Sequence, residues 1–161
     1  LPNFEVSKQS LNSIMRKIYL FLAILAVAIT ACQKDGIPED DQITSYVTSK
    51  NLTVTEKTAS GLRYIVTKAN PTGAALKAGQ NINVNYAGTF LSGKSFDSGN
   101  FSFVLGAGRV VKGFDEGIAK MRVGEKAIII FPSTLGYGSS GSGSIPANSP
   151  LVFDIEVVSS R

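Results

Sequence analysis

Residues 81–86 read Asn81-Ile82-Asn83-Val84-Asn85-Tyr86, and the stretch they open decides the fold. Ile82, Val84 and Tyr86 alternate with three asparagines, the signature of a strand with one buried face. Ala87-Gly88-Thr89 follow, then Gly93-Lys94-Ser95-Phe96-Asp97-Ser98 and Phe101-Ser102-Phe103-Val104-Leu105-Gly106, where Phe101, Phe103 and Leu105 again alternate with other residues. Ala127 to Phe131 is continuously apolar and predicts a central strand covered on both faces. Leu151, Phe153, Ile155 and Val157 share one strand face near the C-terminus. Upstream, Leu62, Tyr64 and Val66 alternate after the turn Ala59-Ser60-Gly61, and Leu52 and Val54 alternate with threonines as a further strand.

One clear helix interrupts these strands. Phe114, Ile118 and Met121 fall on one side at i, i+4, i+7, which predicts a helix from Phe114 to about Met121. Asp115 and Glu116 sit in its first turn, where carboxylates suit the positive helix end and read as capping residues. Strands, one short helix and strands again predict an α+β domain, a curved antiparallel sheet wrapped around one short α-helix. Ahead of it, Gly36 to Asp41 reads as a polar linker containing Pro38. Ile43, Tyr46 and Val47 have helical spacing within 40–50, a short spacer helix expected to pack on the domain.

Composition excludes several chemistries. The 161 residues contain no histidine and one cysteine, Cys32. Imidazole base catalysis, the usual hydrolytic triads, internal disulfides and Cys-rich zinc sites are thereby removed, and no metal or cofactor is expected. The net charge is +4, and the part beyond Cys32 has 13 bases against 11 acids, so half of the excess precedes that cysteine. The remaining bases are scattered, without a run that would follow a phosphate backbone, and no nucleic-acid partner is expected. Ser133 to Ser149 is rich in Gly and Ser, but no Gly-Lys-Ser/Thr follows it and no helix starts after it. It reads as a flap beside a pocket rather than a phosphate loop.

The N-terminal part reads as an address. Met15-Arg16-Lys17 is a short positive region, and Ile18 to Ala31 is an apolar run of 14 residues broken only by Thr30. That is short of the roughly 20 residues a spanning helix needs and suits a signal peptide. It ends in Ile29-Thr30-Ala31-Cys32, which resembles the lipobox of bacterial lipoproteins. The resemblance implies cleavage before Cys32 and its acylation. Gln33-Lys34-Asp35 after the cysteine is compatible with outer-membrane sorting, and lysine followed by acids resembles surface-export signals. The expected division is upstream sequence over 1–14, a signal peptide over 15–31, a tether and helical spacer over 32–51, and the folded domain over 52–161. The expected location is the cell envelope, lipid-anchored at the outer membrane on its periplasmic or surface face.

Taken in order, the blocks quoted above, with Val110-Val111-Lys112-Gly113-Phe114-Asp115-Glu116-Gly117, Gly136-Tyr137-Gly138, Ile145-Pro146 and Leu151-Val152-Phe153-Asp154, resemble FKBP-type peptidyl-prolyl cis-trans isomerases over roughly residues 60–158. The resemblance implies the curved-sheet fold, isomerisation of X-Pro bonds, proline-containing polypeptides as substrates and macrolides such as rapamycin as ligands, and a monomer is expected. It implies a pocket with Phe114 as its floor, where the family often has tryptophan. Tyr86, Phe101 and Phe153 would be walls, Phe96 the rim, and Val110 and Val111 the completion of the wall. The Val111 N–H and the Tyr137 O–H would donate to substrate carbonyls. Asp97 would tie down Tyr86 or the ligand, and Ile145 in the flap would close over proline. Ser142, Ser144 and Ala147 depart from the family pattern, which bears on substrate preference rather than on the reaction.

Each residue also has an ordinary reading. Tyr86, Phe101 and Phe153 fit plain core, Phe114 fits helix packing, and Asp97 fits a turn in Phe-Asp-Ser-Gly. Tyr137 between two glycines is the least explicable as core. The expected function is a lipid-anchored prolyl isomerase for exported or envelope proteins. The alternatives are a non-catalytic chaperone or binding module of the same shape, and a surface interaction protein.

The lipobox-like motif generates the first prediction. Mass spectrometry of the membrane fraction should find Cys32 as the acylated mature N-terminus. A soluble mature protein starting at another residue would rule this out.

Overall fold

The computed structural model describes residues 36–161, of which Pro38–Arg161 form a compact unit. The expectations for 1–14, for 15–31 and for Cys32 lie outside these residues. In chain order the elements are α1 (Glu39–Ser49), β1 (Glu56–Lys57), β2 (Arg63–Lys68), β3 (Asn81–Phe90), β4 (Ser95–Val104), α2 (Lys112–Ile118), β5 (Lys126–Phe131), a 3-10 turn (Ser133–Leu135) and β6 (Leu151–Ser160). The six strands form one antiparallel sheet in the order β1-β2-β5-β6-β3-β4. The α+β architecture read from the sequence is therefore the observed one, with α1 as a second helix on the domain.

The two faces of the sheet carry different loads. On one, Tyr64, Ile82, Val84, Phe103, Ala127, Ile129, Phe131, Phe153 and Ile155 build the main core with Phe114, Ile118 and Met121. On the other, Ile65, Ile130 and Val152 pack with Ile43 of α1, flanked by Tyr46, Val47, Leu52 and Val54. Strand β5 serves both faces, which is why Ala127 to Phe131 has no polar position. The same covering explains β2, where Arg63 and Ile65 are buried along with Tyr64. The alternation in β2 suggested one buried face; α1 buries the second.

Ile43 is fully buried, and polar contacts fix the helix around it. Asp40 accepts from buried Arg63 at 2.7 Å and from Lys57 at 3.1 Å. The Arg63 hydrogen bond, followed by that of Lys57, holds the Asp40 carboxyl below its ordinary range. On the main-core side, the Tyr64 O–H donates to the buried Glu125 carboxylate. Burial, reinforced by Glu125, raises the Tyr64 phenol well above its ordinary range.

Three local expectations are corrected. Leu52 and Val54 lie outside the strands, because the Leu52 N–H returns to the Val47 carbonyl at 3.0 Å at the end of α1. Their side chains pack under α1 without a ladder. Helix α2 starts at Lys112 and stops at Ile118. Lys120 and Met121 then bond three residues back, a tightened turn that still buries Met121. Asp115 and Glu116 do not cap their own helix. Asp115 accepts the Gly106 N–H at 2.9 Å and Glu116 accepts the Ser60 hydroxyl at 2.8 Å, so both tie the helix to neighbouring loops.

Helix α2 approaches β5 through two glycines one turn apart. A Cβ on Gly113 would lie 2.4 Å from the Phe131 ring, and one on Gly117 would lie 2.7 Å from Ile129. Alanine normally favours a helix over glycine by up to about 1 kcal/mol. Here the buried Phe131 ring has no room to yield, and overpacking costs about 1–3 kcal/mol. Gly113→Ala should therefore lower the urea midpoint at unchanged slope, a net loss of about 1–2 kcal/mol. A midpoint equal to or above that of the wild type would show that the helix can move off the sheet freely.

Candidate active site

Strands β3, β4 and β6 and the start of α2 converge on one cleft of about 420 Å³. Tyr86, Phe96, Asp97, Phe101, Val110, Val111, Phe114, Tyr137 and Phe153 line it, joined by Gly108 and Arg109. Phe114 is 3% exposed and touches three of the other rings. Its centroid lies 5.1 Å from Phe153 and 6.0 Å from Tyr86, both edge-on, and 5.8 Å from Phe101. Tyr86 meets Phe101 edge-on at 5.3 Å, and Phe96 meets Phe153 edge-on at 5.5 Å. Such edge-to-face pairs add about 0.5–1.5 kcal/mol each beyond area burial. They also fix the ring planes, so the cleft is a preformed apolar slot.

Register explains why these rings meet. Val84 pairs with Phe101 and Tyr86 with Gly99 across β3 and β4, while Tyr86 pairs with Ile155 and Gly88 with Phe153 across β3 and β6. Inward positions from three neighbouring strands thus surround the first turn of α2. Asp97 is a strand residue of β4 opposite Gly88, not the turn residue its local sequence suggests. From there it reaches diagonally to the Tyr86 hydroxyl, which donates to Asp97 Oδ2 at 2.7 Å. Its other oxygen accepts the Ser98 N–H at 2.9 Å.

Two of the expected donors at the cleft are not consumed. Among the described residues neither the Val111 N–H nor the Tyr137 O–H has a hydrogen-bond partner. Val111 sits just before α2 with an extended backbone (φ −61°, ψ 148°), and its carbonyl turns back to accept the N–H groups of Phe114 and Asp115. Tyr137 is 38% exposed between Gly136 and Gly138, and Gly138 has φ +59°. An aromatic floor, two free donors and an exposed mouth suit an apolar ring attached to an amide. Among the described residues no cluster of carboxylates or thiols is arranged to hold a metal ion.

Nine of the ten expected pocket residues line the cleft. Ile145 does not. It is 8% exposed and belongs to the main core. Ser142 and Ile145 exchange two backbone hydrogen bonds, at 2.9 and 2.8 Å, in a tight hairpin that turns Ile145 inward. Gly108 and Arg109 were not anticipated. The signal for them was continuity: they immediately precede Val110, and glycines with φ of +77° at 106 and +66° at 108 carry that loop past the mouth. Arg109 is exposed there and makes no ion pair or hydrogen bond among the described residues.

The Tyr86–Asp97 bond has a measurable consequence. Hydrogen bonding to Asp97, with burial second, pushes the Tyr86 phenol up from 10.0 to about 12. Its neutral form is favoured in the fold, so the stability it contributes is complete below the unfolded value. That stability is lost as pH rises from 10.0 through about 12. In an alkaline titration followed by tyrosinate absorbance, Asp97→Asn should move one tyrosine to lower pH and shrink this loss. An unchanged titration would show that Asp97 does not hold the Tyr86 proton.

Residues 73–158 match the family model of the FKBP-type peptidyl-prolyl cis-trans isomerase. FK506-binding protein 2 of Dictyostelium discoideum is 46% identical over 88 residues, which cover 51% of this chain and 66% of that protein. The chain thus spans just under two thirds of that relative. FK506-binding protein 1 of the same organism is 46% identical over 86 residues, covering 50% of this chain and 80% of that one. Among solved structures, AtFKBP13 superposes with a TM-score of 0.60 at 33% identity, over 64% of this chain and 95% of that one. FkpA from Escherichia coli superposes with a TM-score of 0.67 at 28% identity, over 100% of this chain and 74% of that one. The fold, the ring-lined cleft at the start of α2 and these matches agree: the chain belongs to the FKBP-type peptidyl-prolyl cis-trans isomerase family.

Proposed function

We propose that this protein catalyses cis-trans isomerisation of X-Pro bonds in exported or envelope polypeptides. The observation that carries the reading is the cleft itself, a slot of fixed aromatic rings with two unspent hydrogen-bond donors beside it. An X-Pro bond prefers trans by only about 0.5–1 kcal/mol but rotates over a barrier of about 18–20 kcal/mol. The barrier is amide resonance lost in the twisted state, so no covalent bond breaks and no proton must move. Catalysis needs a dry slot for the pyrrolidine ring, which disfavours the dipolar planar amide, and hydrogen bonds that fit the twisted form better. Phe114, Phe153 and Tyr86 would hold the ring. The Val111 N–H and Tyr137 O–H would hold carbonyls on either side of the bond. Asp97 would keep the Tyr86 hydroxyl from competing with them.

The envelope location rests on the signal-like run 15–31 and on Cys32, which would serve as the lipid anchor. The same cleft would accept macrolides, as the names of the FK506-binding relatives suggest. Phe114 offers a smaller floor than tryptophan and no indole N–H, so affinity for such ligands should be weaker than in relatives with tryptophan there.

The test is a protease-coupled isomerisation assay on an X-Pro tetrapeptide, with refolding of a proline-limited protein beside it. The protein should accelerate both at low molar ratio, and chelator should not abolish the activity. A binding module would instead protect or retard its client stoichiometrically. Tyr137→Phe should lower kcat/KM by about threefold to tenfold at unchanged melting temperature, the equivalent of one neutral hydrogen bond. An unchanged kcat/KM would assign the hydrogen bonding to backbone groups such as the Val111 N–H.

A further inference from the structure

Tyr137 stands in a stretch with little reason to be ordered. Eight of the residues from Leu135 to Ser144 are glycine or serine, and holding such a chain in one shape costs roughly 1–2 kcal/mol per residue. Ser133 at its start is 3% exposed and acts as its anchor. The Ser133 carbonyl accepts the N–H of Gly136 and the N–H of Gly138, both at 2.8 Å, so it grips the chain on each side of Tyr137. Ser133 is in turn held from outside the loop. Its N–H donates to Glu39 Oε2 and its hydroxyl donates to Glu39 Oε1, each at 2.6 Å. The preceding residue is Pro132, which has no N–H, so the Ser133 N–H is the first donor of this 3-10 turn, and Glu39 satisfies it.

Glu39 opens α1, well outside residues 73–158. That helix is itself fixed on the opposite face of the sheet by buried Ile43 and by the Asp40–Arg63 ion pair. A rigid chain of contacts therefore runs from α1 through Glu39 and Ser133 to both neighbours of Tyr137. We propose that Glu39 is a positioning residue for the cleft, setting the Tyr137 loop from a helix that is not part of the matched catalytic core. The role in catalysis rests on the functional reading above. Charge-assisted hydrogen bonds of this kind are about twice as strong as neutral ones, and the Glu39 carboxylate accepts both Ser133 donors at once. A glutamine would still accept the N–H at its carbonyl but would have to donate to the hydroxyl, and it loses the charge assistance at both.

The experiment uses the protein from residue 36 onward, with Glu39→Ala, Glu39→Gln and Asp40→Asn. Asp40→Asn loosens the same helix at Arg63 and Lys57 without touching the loop. Amide hydrogen exchange reads the loop directly. Glu39→Ala should speed exchange of the Gly136 and Gly138 N–H groups by about tenfold, with Glu39→Gln between it and wild type and Asp40→Asn, which acts only through the helix, closer to wild type than either. In the isomerisation assay Glu39→Ala should lower kcat/KM by no more than Tyr137→Phe does, about threefold to tenfold. Added to Tyr137→Phe it should lower kcat/KM no further, because both changes remove the same contact. Unchanged exchange at Gly136 and Gly138 would overturn the proposal, as would an activity loss of equal size in Asp40→Asn or in the Tyr137→Phe background. An inactive wild type would refute the isomerase reading alone, and exchange would still decide whether Glu39 sets the loop.

Discussion

Helix α2 can sit on the sheet only because Gly113 and Gly117 present no side chain to Phe131 and Ile129. The rest of the site depends on that distance. Phe114 directly follows the first of them, and a helix held close to β5 pushes its ring into the gap bounded by β3, β4 and β6. Were the helix to stand off by the width of a methyl group, Phe114 would lose its edge contacts with Tyr86 and Phe153 together. Dispersion contacts weaken steeply over such a gap. The floor of the cleft is thus set by the side chains missing beside Phe114 on the buried face of the helix.

Around that floor the polar groups are divided by function. The Tyr86 hydroxyl spends its one proton on Asp97, whose other oxygen accepts the Ser98 N–H, so Tyr86 is not a donor to a ligand. Of the expected donors, the Val111 N–H and the Tyr137 O–H remain, beside the Arg109 guanidinium. Burying an unpaired donor against an apolar wall costs more than leaving it at an open mouth. Tyr137 is 38% exposed, so its O–H stays free without a large loss of stability. An aromatic floor and donors at the edge suit a ligand that is apolar at one end and an amide at the other.

The outer helix adds a second layer. Without α1, the outward side chains of β2, β5 and β6, Ile65, Ile130 and Val152, would face water. Burial of aliphatic side chains such as these is worth about 1.5–3 kcal/mol each. The helix therefore belongs to the stability of the domain, although its sequence reads as a spacer. Because its first turn also carries Glu39, whatever holds α1 on the sheet bears on the loop of Tyr137.

The period-two pattern of 81–86, the unbroken apolar run of 127–131 and the spacing of Phe114, Ile118 and Met121 were enough to identify β3, β5 and α2, because side-chain periodicity follows directly from backbone geometry. The family resemblance carried by the ordered blocks named ten pocket residues, of which nine line the cleft. What remained illegible was every contact set by distance in space rather than along the chain. Ser133 and Glu39 are 94 residues apart, and neither has a local pattern that points to the other. Ile145 looks like a flap residue in sequence, and only the hairpin closed with Ser142 turns it into the core. Asp97 looks like a turn residue because its neighbours favour turns, yet pairing with β3 keeps it extended. Local sequence decides which backbone shapes are cheap. Which of them is adopted at such positions is decided by strand register, by the close approach of α2 and by the docking of α1, all of which exist only once the chain has closed on itself.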